Sequence, residues 1–222
     1  MGLPDVVYLC GPEVGRELRY SLRSLANLPH DRVWLAGHQP SGLVNVERLP
    51  VRQKPRQKWA NQEANLRAYC EQRDGTERFY LFNDDFFVMS PIKRVPVWHR
   101  GPIRNVIDGY GPRTDEFAQR LKATAKHLGG DVACYDSIHI PMLLEKSKLL
   151  TVLGELPKLG LFRTWYGNRW QIGGQVHGDT KVKKHRDFPG GPLLSTSDAS
   201  FKSGSAGQLV RSSFRTPSPY EC

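Results

Sequence analysis

The segment Arg78–Val88, reading Arg-Phe-Tyr-Leu-Phe-Asn-Asp-Asp-Phe-Phe-Val, constrains the fold more than any other part of the chain. Phe79 and Leu81 fall on one face of an extended backbone, and Tyr80 and Phe82 fall on the other. Apolar side chains on both faces predict an interior strand covered on both sides. That strand runs directly into Asn83, Asp84 and Asp85. Burying two adjacent carboxylates is costly unless a cation or strong donors compensate them. In open α/β sheets the C-terminal strand ends are where ligands sit. A hard divalent cation bridging these oxygens to a diphosphate meets both conditions. The plainer alternative is a strand ending in a solvated Asn-Asp-Asp turn.

A chain of 222 residues can bury a substantial core, and its length predicts a single domain over 1–222. No apolar run approaches ~18 residues, so no membrane span is expected. Asp5 precedes any apolar stretch, which argues against a signal peptide. Cys10, Cys70, Cys134 and Cys222 are scattered and form no Cys-x-x-Cys pair. Free thiols in a reducing cytoplasm are the expectation, and a cysteine-rich metal site is not.

The net charge of +10 asks for an anionic partner. Arg48, Arg52, Lys54, Arg56 and Lys58 form one basic run without an acid, and Lys181-Val182-Lys183-Lys184-His185-Arg186 forms another. Phosphate-bearing ligands, anionic glycans and nucleic acid all fit such runs, as does a solvated basic loop. No helix-turn-helix, zinc-finger or RNA-recognition signature accompanies them.

Local patterns alternate between strand and helix. Asp5–Gly11 reads as a strand broken by Gly11-Pro12, and Arg32–Gly37 as a second, with a weaker third up to Val51. Between the first two, a helix over about Arg16–Asn27 places Leu18, Leu22, Leu25 and Ala26 on one face and Arg16, Arg19 and Arg23 on another. Another helix over about Trp59–Gln72 leads into the Asn-Asp-Asp strand. This alternation predicts a mostly parallel sheet with helices on its faces. Farther on, Thr114 caps a helix lined by Phe117, Leu121, Ala125 and Leu128 and ended by Gly129-Gly130. Pro141 opens a helical segment through Leu153. The composition of 183–222 reads as loop.

Several blocks, in order, resemble the Stealth family of capsular polysaccharide and N-acetylglucosamine-1-phosphate phosphotransferases. They are Asp5-Val6-Val7-Tyr8 with Glu17–Leu25, Lys58-Trp59-Ala60-Asn61, and Leu81–Phe87. Ile138-His139-Ile140-Pro141 with Lys146, Phe162-Arg163-Thr164, and Leu193–Asp198 follow. Short actinobacteriophage proteins labelled glycosyltransferases look alike through the same blocks, including Tyr166-Gly167-Asn168 and Pro217–Glu221.

The resemblance implies a GT-A-like, nucleotide-diphospho-sugar transferase of the α/β class. It implies a host-cytoplasmic setting if the chain is phage-encoded. Such an enzyme moves a sugar or sugar 1-phosphate to a glycan or protein hydroxyl, with Mg²⁺ or Mn²⁺ at the diphosphate. Carried over by position, Asp84, Asp85 and Asp198 are the metal candidates, and His139, Arg163 and Asp85 the catalytic ones. Asp5, Tyr8, Arg19, Arg23, Asn61 and Asn83 are the donor-binding candidates, with Asp5 and Tyr8 taken to close the first strand beside the nucleotide base. The resemblance also implies that Leu193–Asp198 completes the sheet or the site, against the loop reading of 183–222. His38, His99, His127, His177 and His185 receive no role. Two alternatives stand beside this reading: a basic nucleic-acid-binding or nucleic-acid-modifying protein, and a transferase fold kept as an interaction module.

Overall fold

The computed structural model describes residues 2–12, 15–184 and 186–222, so His185 of the second basic run lies outside the described residues. In chain order the elements begin with β1 (Asp5–Cys10), α1 (Glu17–Ser24), β2 (Val33–Gly37), β3 (Glu47–Pro50), α2 (Lys58–Glu71) and β4 (Arg78–Phe82). Next come β5 (Phe86–Val88), β6 (Trp98–His99), α3 (Ile103–Tyr110), α4 (Glu116–Leu128), β7 (Met142–Glu145) and α5 (Lys146–Glu155). The chain closes with α6 (Phe162–Arg169), β8 (Gln175–Val176), β9 (Lys181–Val182), β10 (Leu193–Thr196), α7 (Asp198–Ser203) and α8 (Ser205–Ser213). These elements divide into two compact units. Met1–Val95, Ile140–Lys146 and Thr180–Cys222 form the first, and Pro96–His139 and Ser147–Asp179 the second.

The first unit is built on a five-stranded sheet of order β3-β2-β1-β4-β7. β1 pairs in parallel with β2 and β4, and β2 with β3; β7 adds an antiparallel edge to β4. Val6, Val7, Tyr8, Leu35, Phe79 and Leu81 are fully buried, as expected for central strands covered on both faces. α1 turns Leu18, Leu22 and Ser21 inward, while α2 contributes Leu66 and Tyr69. The result is a mixed α/β, Rossmann-like arrangement: a mostly parallel sheet flanked by helices. Its sheet order reverses between β1 and β4, so the crevice beyond their C-terminal ends is the topological switch point.

The strand expected before Asn83 is β4; beyond it the chain leaves the main sheet, and β5 pairs antiparallel with β10 in a second sheet, β5-β10-β9. Two local expectations are corrected. Met142–Glu145 after Pro141 is strand, because the edge of β4 offers it a ladder that local pattern does not reveal. The helix begins only at Lys146. The cap of α4 is Asp115, whose side chain accepts a 3.1 Å bond from the Ala118 amide, and Thr114 lies outside the helix.

The loop reading of 183–222 is overturned from Leu193 on. Leu194 of β10 joins Phe87, Val182, Phe201, Ala206 and Val210 in a hydrophobic cluster with Tyr20 and Phe214 against it. Gly207 lies against the Phe201 backbone so closely that no side chain would fit, which fixes the approach of α8 to α7. The last residues are tied down as well. Glu221 takes paired 2.7 Å bonds from Arg23 Nε and Nη2, and His30 bonds the Tyr220 hydroxyl at 2.7 Å.

Arg23 and Ser218 hold the Glu221 carboxyl down at about 2. A depressed carboxyl stabilises the fold above its unfolded value and loses that contribution as pH falls through the folded one. We therefore expect up to about 3 kcal/mol of acid-sensitive stability from this clamp. Denaturant midpoints of Glu221→Gln and wild type should converge as pH falls from about 4.5 to about 2. A constant gap between them across this window would remove the clamp's role.

The second unit holds α3, α4, α6, most of α5 and a small parallel ladder of β6 and β8. Ile103, Leu121, Leu149, Val152 and Tyr166 form its interior. The Asn168 side chain binds it locally by accepting from the Ala133 amide and donating to the Ala133 and Thr164 carbonyls. No helix among the described residues is long and apolar enough to cross a membrane.

Candidate functional site

Two groups of polar side chains stand out, one in each unit. In the first unit, the loops after β1 and β4 carry Gly15, Arg16, Asn83, Asp84 and Asp85 to the switch point, and α1 starts beside them with Glu17. Asp84 is pushed above the usual carboxylate range chiefly by burial and then by Asp85. Backbone hydrogen bonds from its own amide and from Gly15 pull it back, as does the Lys181 charge. Asp85 Oδ2 accepts a 2.7 Å ion pair from Lys181 Nζ and a 3.0 Å bond from Ser195 Oγ. Both partners sit on the β9–β10 ladder, so the second sheet holds this carboxylate.

Glu17 is the functional candidate that sequence reasoning missed. It is only 8% exposed, and its Oε1 is buried without a hydrogen-bond partner among the described residues. Burial, then Asp84, Asp198 and Asp85 in that order, push its carboxyl up to about 7. Glu17, Asp84, Asp85 and Asp198 thus make one electrostatically coupled acidic cluster. An acid in the first turn of a helix looks like ordinary dipole compensation, which is why the sequence hid it. Its place just after the loop that leaves β1 was the available signal.

A cleft of about 450 Å³ opens alongside, lined by Gly15, Arg16, Arg19, His38 and Ser41 among others. Gly15 therefore links the cleft to Asp84, since its backbone bonds that carboxylate. Gly37, at φ +114°, ends β2 with its backbone against the Cys10 carbonyl and the Asn65 amide. That left-handed turn delivers His38, which sequence reasoning had given no role, into the cleft. Arginine and histidine donors beside buried carboxylates suit a ligand carrying both phosphate oxygens and a cation.

In the second unit, His139 Nδ1 lies 2.7 Å from Asp179 Oδ1, with both side chains about three-quarters buried. An ionised carboxylate only accepts, so Nδ1 carries the proton and the Nε2 edge is the basic one. His139 adopts a left-handed backbone at φ +51°, a conformation costly outside glycine and clustered at functional positions. Arg163, in the first turn of α6, is buried rather than on the surface. Its charge lies beside Asp136, a carboxyl raised mainly by burial and lowered by bonds from Thr164 and by Arg163. Asp136 Oδ2 accepts from the Thr164 amide at 2.7 Å, fixing the start of α6.

Four expected donor contacts are placed elsewhere. Asp5 opens β1 instead of closing it, and lies fully buried at the end away from the switch point. Tyr8 is also fully buried, with its hydroxyl 2.8 Å from Ser21 Oγ. Arg23 is engaged by Glu221 and by the Phe214 carbonyl. Asn61 exchanges two hydrogen bonds with the Lys54 backbone, 2.7 and 2.9 Å long, and so closes a loop. Arg19 stays at the cleft, half exposed, 3.9 Å from Glu221.

Among the described residues no three His, Cys, Asp or Glu side chains are grouped so as to hold a metal ion by themselves. The donor chemistry nevertheless suits a hard cation: every candidate offers oxygen, and one buried oxygen lacks a partner. Magnesium sites commonly use one or two carboxylates completed by substrate phosphates instead of an all-protein cage. No family model matches this chain, and none of the curated proteins matches it.

Proposed function

We propose that this protein is a GT-A-like, metal-dependent transferase that moves a sugar or sugar 1-phosphate from a nucleotide-diphospho-sugar to a hydroxyl on a glycan or protein. The observation that carries the reading is the buried Glu17 together with the partly buried, mutually repelling Asp84 and Asp85, beside an arginine-lined cleft at the β1–β4 switch point. Its ordered resemblance to the Stealth family supports the same reaction class. In this reading Arg16 and Arg19 receive the donor diphosphate, and Asn83 orients it. Asp84, Asp85 and Asp198 form the oxygen-rich surface facing a Mg²⁺ or Mn²⁺ ion. When bound, such an ion neutralises charge developing on the leaving phosphate.

His139, oriented by Asp179, takes the acceptor hydroxyl proton as the new bond forms. Arg163 offsets negative charge on the transferred group. In phosphotransfer the acceptor oxygen bonds to the sugar-bearing phosphorus, and the bridge to the nucleoside phosphate breaks to release a monophosphate. In glycosyl transfer the acceptor oxygen bonds to the sugar carbon, and a diphosphate leaves. A cytoplasmic setting, or the host cytoplasm for a phage-encoded chain, would supply such donors.

The test is to incubate the protein with a panel of nucleotide sugars and Mg²⁺ or Mn²⁺, and to separate released mono- from diphosphate. Release should stop in EDTA and fall by ~10²-fold or more in Asp84→Asn. If no donor releases either product, or release ignores EDTA, the proposal fails. Tight, steeply salt-dependent DNA binding in place of release would transfer the argument to the basic runs.

A further inference from the structure

Asp85 and Glu17 occupy the same acidic cluster but are treated oppositely by the fold. Asp85 already has its counter-charge, since Lys181 Nζ and Ser195 Oγ both address its Oδ2. Its backbone is fixed as well, through the Thr196 amide on its carbonyl. Glu17 has no such provision. The residue is more than nine-tenths buried, its own backbone amide donates to the carboxylate, and Oε1 has no partner among the described residues. A protonated Glu17 would need a nearby acceptor for its hydroxyl, and none meets Oε1. Gly15 brings the Glu17 and Asp84 carboxylates together, since its backbone bonds Asp84 and its Cα lies against the other Glu17 oxygen, while the Lys181 charge is bonded to Asp85. A cation satisfies both oxygen and charge.

We propose that Glu17 and Asp84 are the two protein ligands of the divalent cation, and that Asp85 is reserved as the fixed counter-ion of Lys181 and does not coordinate it. Lys181 then offsets the charge of Asp85, while Glu17 and Asp84 together offer two negative charges to one Mg²⁺ or Mn²⁺, with Asp198 exposed beside them. The remaining coordination positions fall to diphosphate oxygens and water, consistent with the absence of any three-ligand group among the described residues. This assignment rests on reading the carboxylate cluster as the cation site of the proposed transferase, but it does not depend on turnover.

The experiment measures Mn²⁺ binding in the presence of inorganic pyrophosphate, by calorimetry and by the paramagnetic resonance signal of free Mn²⁺. Wild-type protein should bind, and Glu17→Gln and Asp84→Asn should each weaken binding by ~10-fold or more. Asp85→Asn should weaken binding clearly less than either, because it removes a nearby charge and frees Lys181 but removes no ligand. Circular dichroism checks that each variant is folded. Should Glu17→Gln fail to fold, Glu17→Asp replaces it, its shorter side chain withdrawing the oxygen and giving the same weakening. Unchanged Mn²⁺ affinity in the folded Glu17 variant would overturn the assignment. So would a wild-type protein that binds no Mn²⁺, or an Asp85→Asn loss equal to that of Asp84→Asn. If Glu17→Gln loses Mn²⁺ while the wild type releases no nucleotide from any donor, the ligand assignment stands and the transferase reading alone falls.

Discussion

Replacing Asp5 with alanine should cost about 3–5 kcal/mol of stability, one of the largest losses expected from any single substitution in the first unit. Its Oδ2 accepts from Trp34 Nε1, the Tyr69 hydroxyl and the Thr76 amide, each at 2.9 Å. Oδ1 accepts from the Arg32 amide at 3.2 Å, with Arg32 Nε at 3.8 Å. One carboxylate thereby joins the starts of β1 and β2, the helix α2 and the turn before β4. Its removal strands an indole, a phenol and a backbone amide in a dry interior, and each unpartnered donor carries a desolvation penalty. A thermal midpoint lower by roughly 10 °C is the expected reading for a chain of this size. At permissive temperature, nucleotide-sugar affinity should be unaffected. If the midpoint holds while donor affinity collapses, Asp5 is a ligand group and its structural role is wrong.

His139→Asn should lower turnover by ~10²–10⁴-fold, the usual contribution of a general base, with no comparable change in the melting curve. Asparagine tolerates the left-handed backbone observed at this position, so the substitution removes the imidazole without adding strain. Alanine would confound the two effects. Asp179→Asn should give a smaller loss in turnover, because it leaves the ring in place and disturbs only its orientation. Arg163 needs different handling. Truncating a buried guanidinium beside Asp136 leaves that carboxyl uncompensated at the start of α6, so Arg163→Ala should destabilise the second unit. Arg163→Lys retains the charge and loses the planar fork, which makes it the variant for kinetics. Wild-type turnover in His139→Asn would eliminate the base.

The parts of the fold legible in the sequence are those whose side chains repeat with a local period. β1, β2 and β4 announced themselves as short apolar runs, and α1 through Leu18 and Leu22, with Leu25 just past its end, all buried as the spacing implied. What escaped depends on partners distant in the chain. β7 is a strand because β4 lies open beside it, and Pro141 followed by an apolar run carries no trace of that. β10 spans four residues amid a Gly-, Ser- and Pro-rich tail; its pairing with Phe86–Val88 escaped local pattern, and only the resemblance had Leu193–Asp198 completing a sheet.

The candidate site divides in the same way. Asp84 and Asp85 were legible because two carboxylates after an interior strand are chemically unusual. Asp5 misled because a carboxylate beside an apolar strand signals either a ligand group or a buried hub, and only Trp34 and Tyr69 decide between them. His38 was invisible because a glycine turn, not a motif, brings it to the cleft.

Asn83–Asp85 is a bridge between two ladders: β4 belongs to the main sheet, while β5 belongs to the sheet that the tail completes. The chain therefore passes from one ladder to the other at the carboxylates themselves. Local fluctuation of the tail sheet would carry Asp85, Lys181 and Ser195 together, leaving the register of β4 intact. If the proposed donor binds at the switch point, its affinity would depend on how firmly α7 and α8 hold β10. A distant surface change on those helices then has a route to tune the site without touching any residue in it.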